Sequence, residues 1–207
     1  MTPLTLSSLT AVILVSWWCF CILFSGVEPL NPIEWVRFGG GVQRALFWVE
    51  PWRVFTACFH HATLSHLLIN VFLLSTITFL TATFLGHRTI LLGFLLSSWT
   101  ATAVTLSMTD AWLVGASGGI HGLLGLTAHR LTRTKDPKKI FGALILATVA
   151  VALGLFEKAS LFSHLVGFGT GLGVSLLIGR ARCTNVLYKI SLSTAAATTF
   201  LWLTSVV

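Results

Sequence analysis

Ser117 lies in the run Gly115-Ala116-Ser117-Gly118, and His121 follows it by four residues. His66 and Asn70 are also four apart, His61 precedes them, and His164 sits on a later apolar segment. A serine hydroxyl is a weak nucleophile until a base takes its proton, and a neutral histidine is the usual base. Ser117 as nucleophile and His164 as general base make a dyad suited to acyl transfer. Such chemistry also needs donors aimed at the oxyanion of the tetrahedral intermediate. His66, Asn70 and the Ser117 backbone N–H have that capacity. No Asp or Glu lies at a depth where it would complete a triad.

These residues fall where polar groups are costly. Charged residues make up 9% of the 207, against roughly 25% for a soluble domain. The apolar set reaches 55%, and mean hydropathy is +0.90. A cytosolic domain, a disordered chain and a disulfide-stapled secreted module are excluded; the chain reads as a polytopic, all-α membrane protein. Seven runs have the length of a spanning helix, about 20 residues: 6–25, 62–85, 89–108, 113–129, 140–156, 160–179 and 186–207. No internal repeat stands out, so the chain is one domain, with a core of about 6–180 and an extra C-terminal helix. The first run lacks a basic n-region and reads as a retained helix rather than a signal peptide.

Lys and Arg outnumber Asp and Glu by 13 to 6, a net charge of +7. The basic residues sit in short gaps between apolar runs rather than on one solvated face, so nucleic acid is not the partner. With a cytoplasmic N-terminus, inside segments hold nine Lys and Arg and outside segments four, which supports that orientation. The second, fourth and sixth spans then run inward and place His66, Ser117 and His164 at one level near the outer face. A buried ionisable group mid-membrane costs about 2.5–3.5 kcal/mol and so marks function; a shared depth marks one site. By helical phase His61 lies about 140° from His66, so it is expected to hold the first loop rather than join the cluster. Gly118, Gly122 and Gly125 form one ridge, with Gly167 and Gly171 on the sixth span. Small residues so spaced let two membrane helices approach backbone to backbone.

The segment 26–61, with Trp35, Trp48, Trp52 and Gly39-Gly40-Gly41, suits an element lying in the membrane interface. There Trp52-Arg53 reads either as an anchor with Arg53 on lipid phosphate or as a device ordering this loop. Cys19, Cys21, Cys58 and Cys183 show no metal spacing.

Together, Gly115-x-Ser117-Gly118, the His61, His66, Asn70 spacing, His164-xx-Gly167-xxx-Gly171 and Glu50-x-Trp52-Arg53 resemble the rhomboid intramembrane serine proteases, over residues 28–180. The resemblance implies a six-helix bundle plus a seventh helix, a Ser117–His164 dyad, and an oxyanion hole aided by His66 and Asn70. It implies a cap over the site at 157–160 and no cofactor or metal. Its substrates would be single-pass or C-terminally anchored membrane proteins, cut in or beside a transmembrane helix. Two departures stand out: Ser163 replaces a common Ala, and His121 replaces a common aromatic that packs on the catalytic histidine. A histidine there is similar to the rhombosortase-like subgroup. A bacterial inner membrane is the expected location, since no transit-like or secretory leader is seen. The competing readings are a metal or haem protein ligated by His61, His66, His121 and His164, and a non-catalytic membrane binding protein or chaperone of the same fold.

Overall fold

The computed structural model describes residues 3–26, 30–155 and 160–177. The expected seventh helix at 186–207 and the cap residues 157–159 lie outside the described residues. Within them the chain is all-helical, with one isolated antiparallel bridge between Val42 and Leu113.

Six long helices are described: α1 (Pro3–Ser25), α5 (Leu64–Thr81), α6 (His87–Met108), α7 (Ser117–Leu131), α8 (Pro137–Leu155) and α9 (Ser160–Leu177). Of these, α5 and α6 are each long and apolar enough to cross a bilayer, while Ala11–Ser25 and Leu161–Leu177 form shorter apolar stretches. Thr63 starts α5 by accepting from the His66 N–H at 3.1 Å, an N-cap that satisfies one of the helix's orphan donors. The expected span at 62–85 is therefore trimmed at its start to a helix that leaves Ala62 and Thr63 outside.

The segment between α1 and α5 is a chain of short helices: α2 (Pro32–Arg37), α3 (Arg44–Val49), α4 (Arg53–Thr56) and a 3-10 turn at Ala57–Phe59. Asn31 caps α2 through its Oδ1, which accepts from the Ile33 and Glu34 amides at 2.9 and 3.2 Å. A small apolar cluster of Cys21, Leu30 and Phe38, with Trp17 and Trp35 against it, fastens this segment to α1. Ile33, Trp48 and Val49 stay about three-quarters exposed, an apolar fringe suited to the interface of a bilayer.

Every residue of α7 from Gly118 to Thr127 is buried. Its closest partner is α9, then α6. A Cβ at Gly167 would collide with the Gly118 carbonyl, one at Gly171 with the Gly122 carbonyl, and one at Gly125 with the Phe168 carbonyl. The glycine ridges are thus where the two backbones touch, as their spacing predicts. Away from that seam, Thr81 and Thr127 share a hydroxyl hydrogen bond of 2.6 Å between α5 and α7. His129 Nδ1 and Ser175 Oγ, 2.8 Å apart, join α7 to α9.

Candidate active site

The stretch before α7 is irregular, although the expected span began at 113. Leu113 pairs with Val42 (N–H to carbonyl 2.9 Å in one direction, 3.4 Å in the other), and the Gly115 N–H donates to the Ala57 carbonyl at 3.0 Å. Gly115 has φ +113°, a region L side chains rarely adopt. A Cβ there would also stand 2.8 Å from the His66 ring. The glycine lets the chain turn directly beneath His66 and deliver Ser117 as the first residue of α7, not one four residues in. The first α-helical bond of α7 runs from Ile120 N–H to the Ala116 carbonyl at 3.1 Å. The amides of Ser117 and Gly118 therefore precede the helical ladder, and amides so placed are donors for an anion.

Beside Ser117 is a cavity of 310 Å³ lined by Trp35, His66, Ser98, Thr102 and Trp112, among others. Asn70 is buried, and its Nδ2 donates to the His66 carbonyl at 2.9 Å, one turn back. His164 is buried under the first turns of α7, and among the described residues neither of its ring nitrogens has a hydrogen-bond partner. Ser117 and His164 are therefore not hydrogen-bonded to each other. What connects them is His121. Its ring lies flat on the His164 ring, with centroids 4.0 Å apart and planes 7° apart. Its Nδ1 is 2.8 Å from the Ser117 carbonyl oxygen.

Two expectations about the first loop change. His61 precedes α5, so helical phase does not govern it, and its buried ring packs edge-on against His66 at 5.1 Å. Burial first, then the neighbouring His66 and His60, push its proton affinity well below the ordinary histidine value. Arg53 is buried rather than reaching toward lipid phosphate: it pairs with Glu50, donates to the Val36 carbonyl at 2.8 Å, and lies 4.6 Å over the Trp52 ring. The loop-ordering role of Trp52-Arg53 is the one the contacts support.

The residue that clasps the loop to α1 is His60, which the sequence reading passed over. Its Nε2 accepts from the Trp17 indole N–H at 2.9 Å, and its Nδ1 donates to the Thr56 carbonyl at 3.2 Å. Nε2 also stands 2.9 Å from the Phe38 carbonyl, a contact that becomes a bond only with a hydrogen on Nε2. Burial lowers the pKa of His60 to about 4, so the neutral form prevails. The cavity hydroxyls of Ser98 and Thr102 were missed too. The signal was there, in the buried polar positions Ser97, Ser98, Thr102 and Thr105 of the mostly apolar α6.

Among the described residues, no three His, Cys, Asp or Glu side chains converge as a metal site would require. His61 and His66 pair in one place, His121 and His164 in another.

Comparison with known proteins decides the family. The Rhomboid domain matches residues 49–181, most of the chain. The chain belongs to the rhomboid family. Rhomboid-like protease 3 of Toxoplasma gondii is 27% identical over 162 residues, covering 74% of this chain and 61% of that protein. RHOMBOID-like protein 1 of Arabidopsis thaliana is 31% identical over 137 residues, 62% of this chain and 35% of its own length. RHOMBOID-like protein 7 of the same plant is 33% identical over 137 residues, 62% of this chain and 44% of its own length. The chain thus spans less than two thirds of each of these relatives. This rhomboid is an integral membrane protein of a protease family, and its match takes in Ser117, His164, His66 and Asn70.

Proposed function

We propose that this rhomboid is an intramembrane serine endopeptidase, with Ser117 as nucleophile and His164 as general base. The observation that carries the reading is the shared partner of the pair: His121 is bonded to the Ser117 carbonyl and stacked on His164. The glycine contacts between α7 and α9 hold the two residues at one end of the bundle. Hydrogen bonds of catalytic groups are often long or absent before substrate binds, so the open Ser117–His164 contact is compatible with the role.

His164 accepts the Ser117 Oγ proton as Oγ adds to the substrate carbonyl. The developing oxyanion falls to the Ser117 and Gly118 amides, the His66 ring and the second N–H of Asn70 Nδ2. His164 then protonates the leaving amine, and the scissile C–N bond breaks to give the acyl-enzyme and a free amino terminus. Water entering through the cavity, activated by the same histidine, releases the acid and restores the serine.

The substrates proposed are single-pass or C-terminally anchored membrane proteins, cut in or beside a transmembrane helix. The proposed topology keeps the N-terminus cytoplasmic and the site near the opposite face, on the nine-to-four charge bias. A bacterial inner membrane rests on the sequence reading alone, and the relatives named above are eukaryotic. The rhombosortase-like subgroup rests on His121 alone.

The test is labelling of the solubilised protein with a fluorophosphonate, wild type beside Ser117→Ala, followed by cleavage of a model transmembrane substrate. Labelling and cleavage both lost in the variant support the assignment. A folded wild type that neither labels nor cleaves overturns it.

A further inference from the structure

His121 differs from a plain stacking ring in two ways. Its Nδ1 faces a carbonyl oxygen, which only accepts, so Nδ1 carries hydrogen and the neutral ring has its lone pair on Nε2. Its other neighbour is a second imidazole, lying flat on it at 4.0 Å. Parallel rings this close suit either two neutral imidazoles or one neutral and one charged. A stack with a charge on one ring is attractive, whereas two like charges at this separation repel strongly in a desolvated site. The pair is therefore suited to hold one proton, not two.

Among the described residues, the remaining surroundings are nearly free of competing charge. From α5, His66 lies within electrostatic reach of His164. α6 presents Ser97 and Ser98 to this part of α7, and α9 presents Ser163. The 3-10 turn brings Cys58, whose thiol burial pushes up to about 12. The lysines of α8, Lys138 and Lys139, are confined to its first turn, whereas His121 is on the first turns of α7, a helix length away.

We infer that His121 is a positioning residue that also gates the dyad by charge: it sets the plane of the His164 ring from the nucleophile's own carbonyl, and it allows His164 to take the serine proton only while itself neutral. The inference rests on the protease reading above. Protonation of His121 blocks the next proton from reaching His164; neutral His121 offers its face to the imidazolium formed there during attack. A single proton, taken by either ring, then switches the enzyme off on the acid side.

The test uses the full chain in detergent or proteoliposomes. His121→Phe keeps a ring of similar size but removes the second titrating group and the tie to Ser117; His121→Asn keeps a donor for the Ser117 carbonyl but removes the ring. The kcat/KM of wild type against pH should fall on its acid side with the slope of one proton, because the first proton taken by either ring removes the base. His121→Phe, with only His164 left to take that proton, should fall with the same slope but at lower pH, while staying within about tenfold of wild type on the alkaline plateau. His121→Asn should lose kcat with KM little changed. Superimposable acid limbs for wild type and His121→Phe would reduce His121 to packing.

A second readout needs no activity and no His121 variant: ring-carbon NMR of isotope-labelled histidine in the Ser117→Ala protein. His121 and His164 should titrate as a coupled pair, in two separated steps each sensed by both rings. Independent single-step titrations would overturn the inference. An inactive wild type would sink the protease reading, yet the NMR titration would still decide the coupling.

Discussion

Gly171 of α9 lies so close to the Gly122 carbonyl of α7 that a single added Cβ would overlap it. The helices that carry His164 and Ser117 thus meet main chain to main chain, and the distance between them is set by the absence of side chains.

Gly171→Ala should therefore destabilise the protein by about 1–3 kcal/mol, the usual cost of forcing volume into a packed contact. Cleavage should fall as well, because α9 carries His164. Gly169→Ala, on the same helix with nothing among the described residues within 4 Å of its added methyl, is the control and should be near neutral. Thermal unfolding in detergent, with cleavage assayed on the same preparations, compares the two.

Ser117→Ala and His164→Ala should each abolish cleavage while leaving the unfolding temperature close to wild type. Asn70→Ala should slow it by about 10²–10³, the loss typical of one oxyanion donor. Full activity in His164→Ala would refute the dyad.

Gly115→Ala combines a strained φ with a methyl pressed on the His66 ring. The backbone cost alone is about 1–3 kcal/mol. A drop in kcat larger than the drop in stability is expected, since the methyl displaces a group beside Ser117. Equal losses would point to folding alone.

The clasp at His60 has a definite pH signature. Above about pH 6.5 the imidazole is neutral whether the chain is folded or not. Between 6.5 and about 4 the unfolded chain takes up a proton that the folded one refuses. Stability should thus fall with falling pH across that window, by about 3 kcal/mol from this residue, and level off below it. His60→Phe should be less stable at neutral pH, having lost the acceptor for the Trp17 N–H, and should show a shallower decline. Unfolding midpoints of both proteins from pH 7.5 to 4 test this; parallel curves would remove His60 as the source.

Much of this arrangement was legible in the sequence because membrane burial makes polar residues conspicuous. His66, Asn70, Ser117 and His164 stood out against apolar runs, and the i, i+4 glycines announced the α7–α9 contact. The errors came where helical periodicity was extended past a helix end. Thr63 caps α5, so His61 follows no helical phase and turns toward His66. Gly115 turns the chain, so α7 starts at Ser117. His60 was invisible for a different reason: its partners Trp17, Thr56 and Phe38 come from separate elements, and no local pattern records that meeting. For Arg53 the sequence left a lipid anchor and a loop-ordering role open, and only the enclosure by Glu50 and the Val36 carbonyl favours the second.

The pairing of Val42 with Leu113, and of Gly115 with the Ala57 carbonyl, also limits how this region can be re-engineered. Surface connections ordinarily absorb insertions and deletions freely. Here the segment after α1 and the segment before α7 are stitched together at two points, so the length of neither is an independent variable. One residue gained or lost between Val42 and Ala57, or between Leu113 and Ser117, would break the stitching or shift Ser117. Grafting of either segment from another protein should succeed only when both are exchanged together.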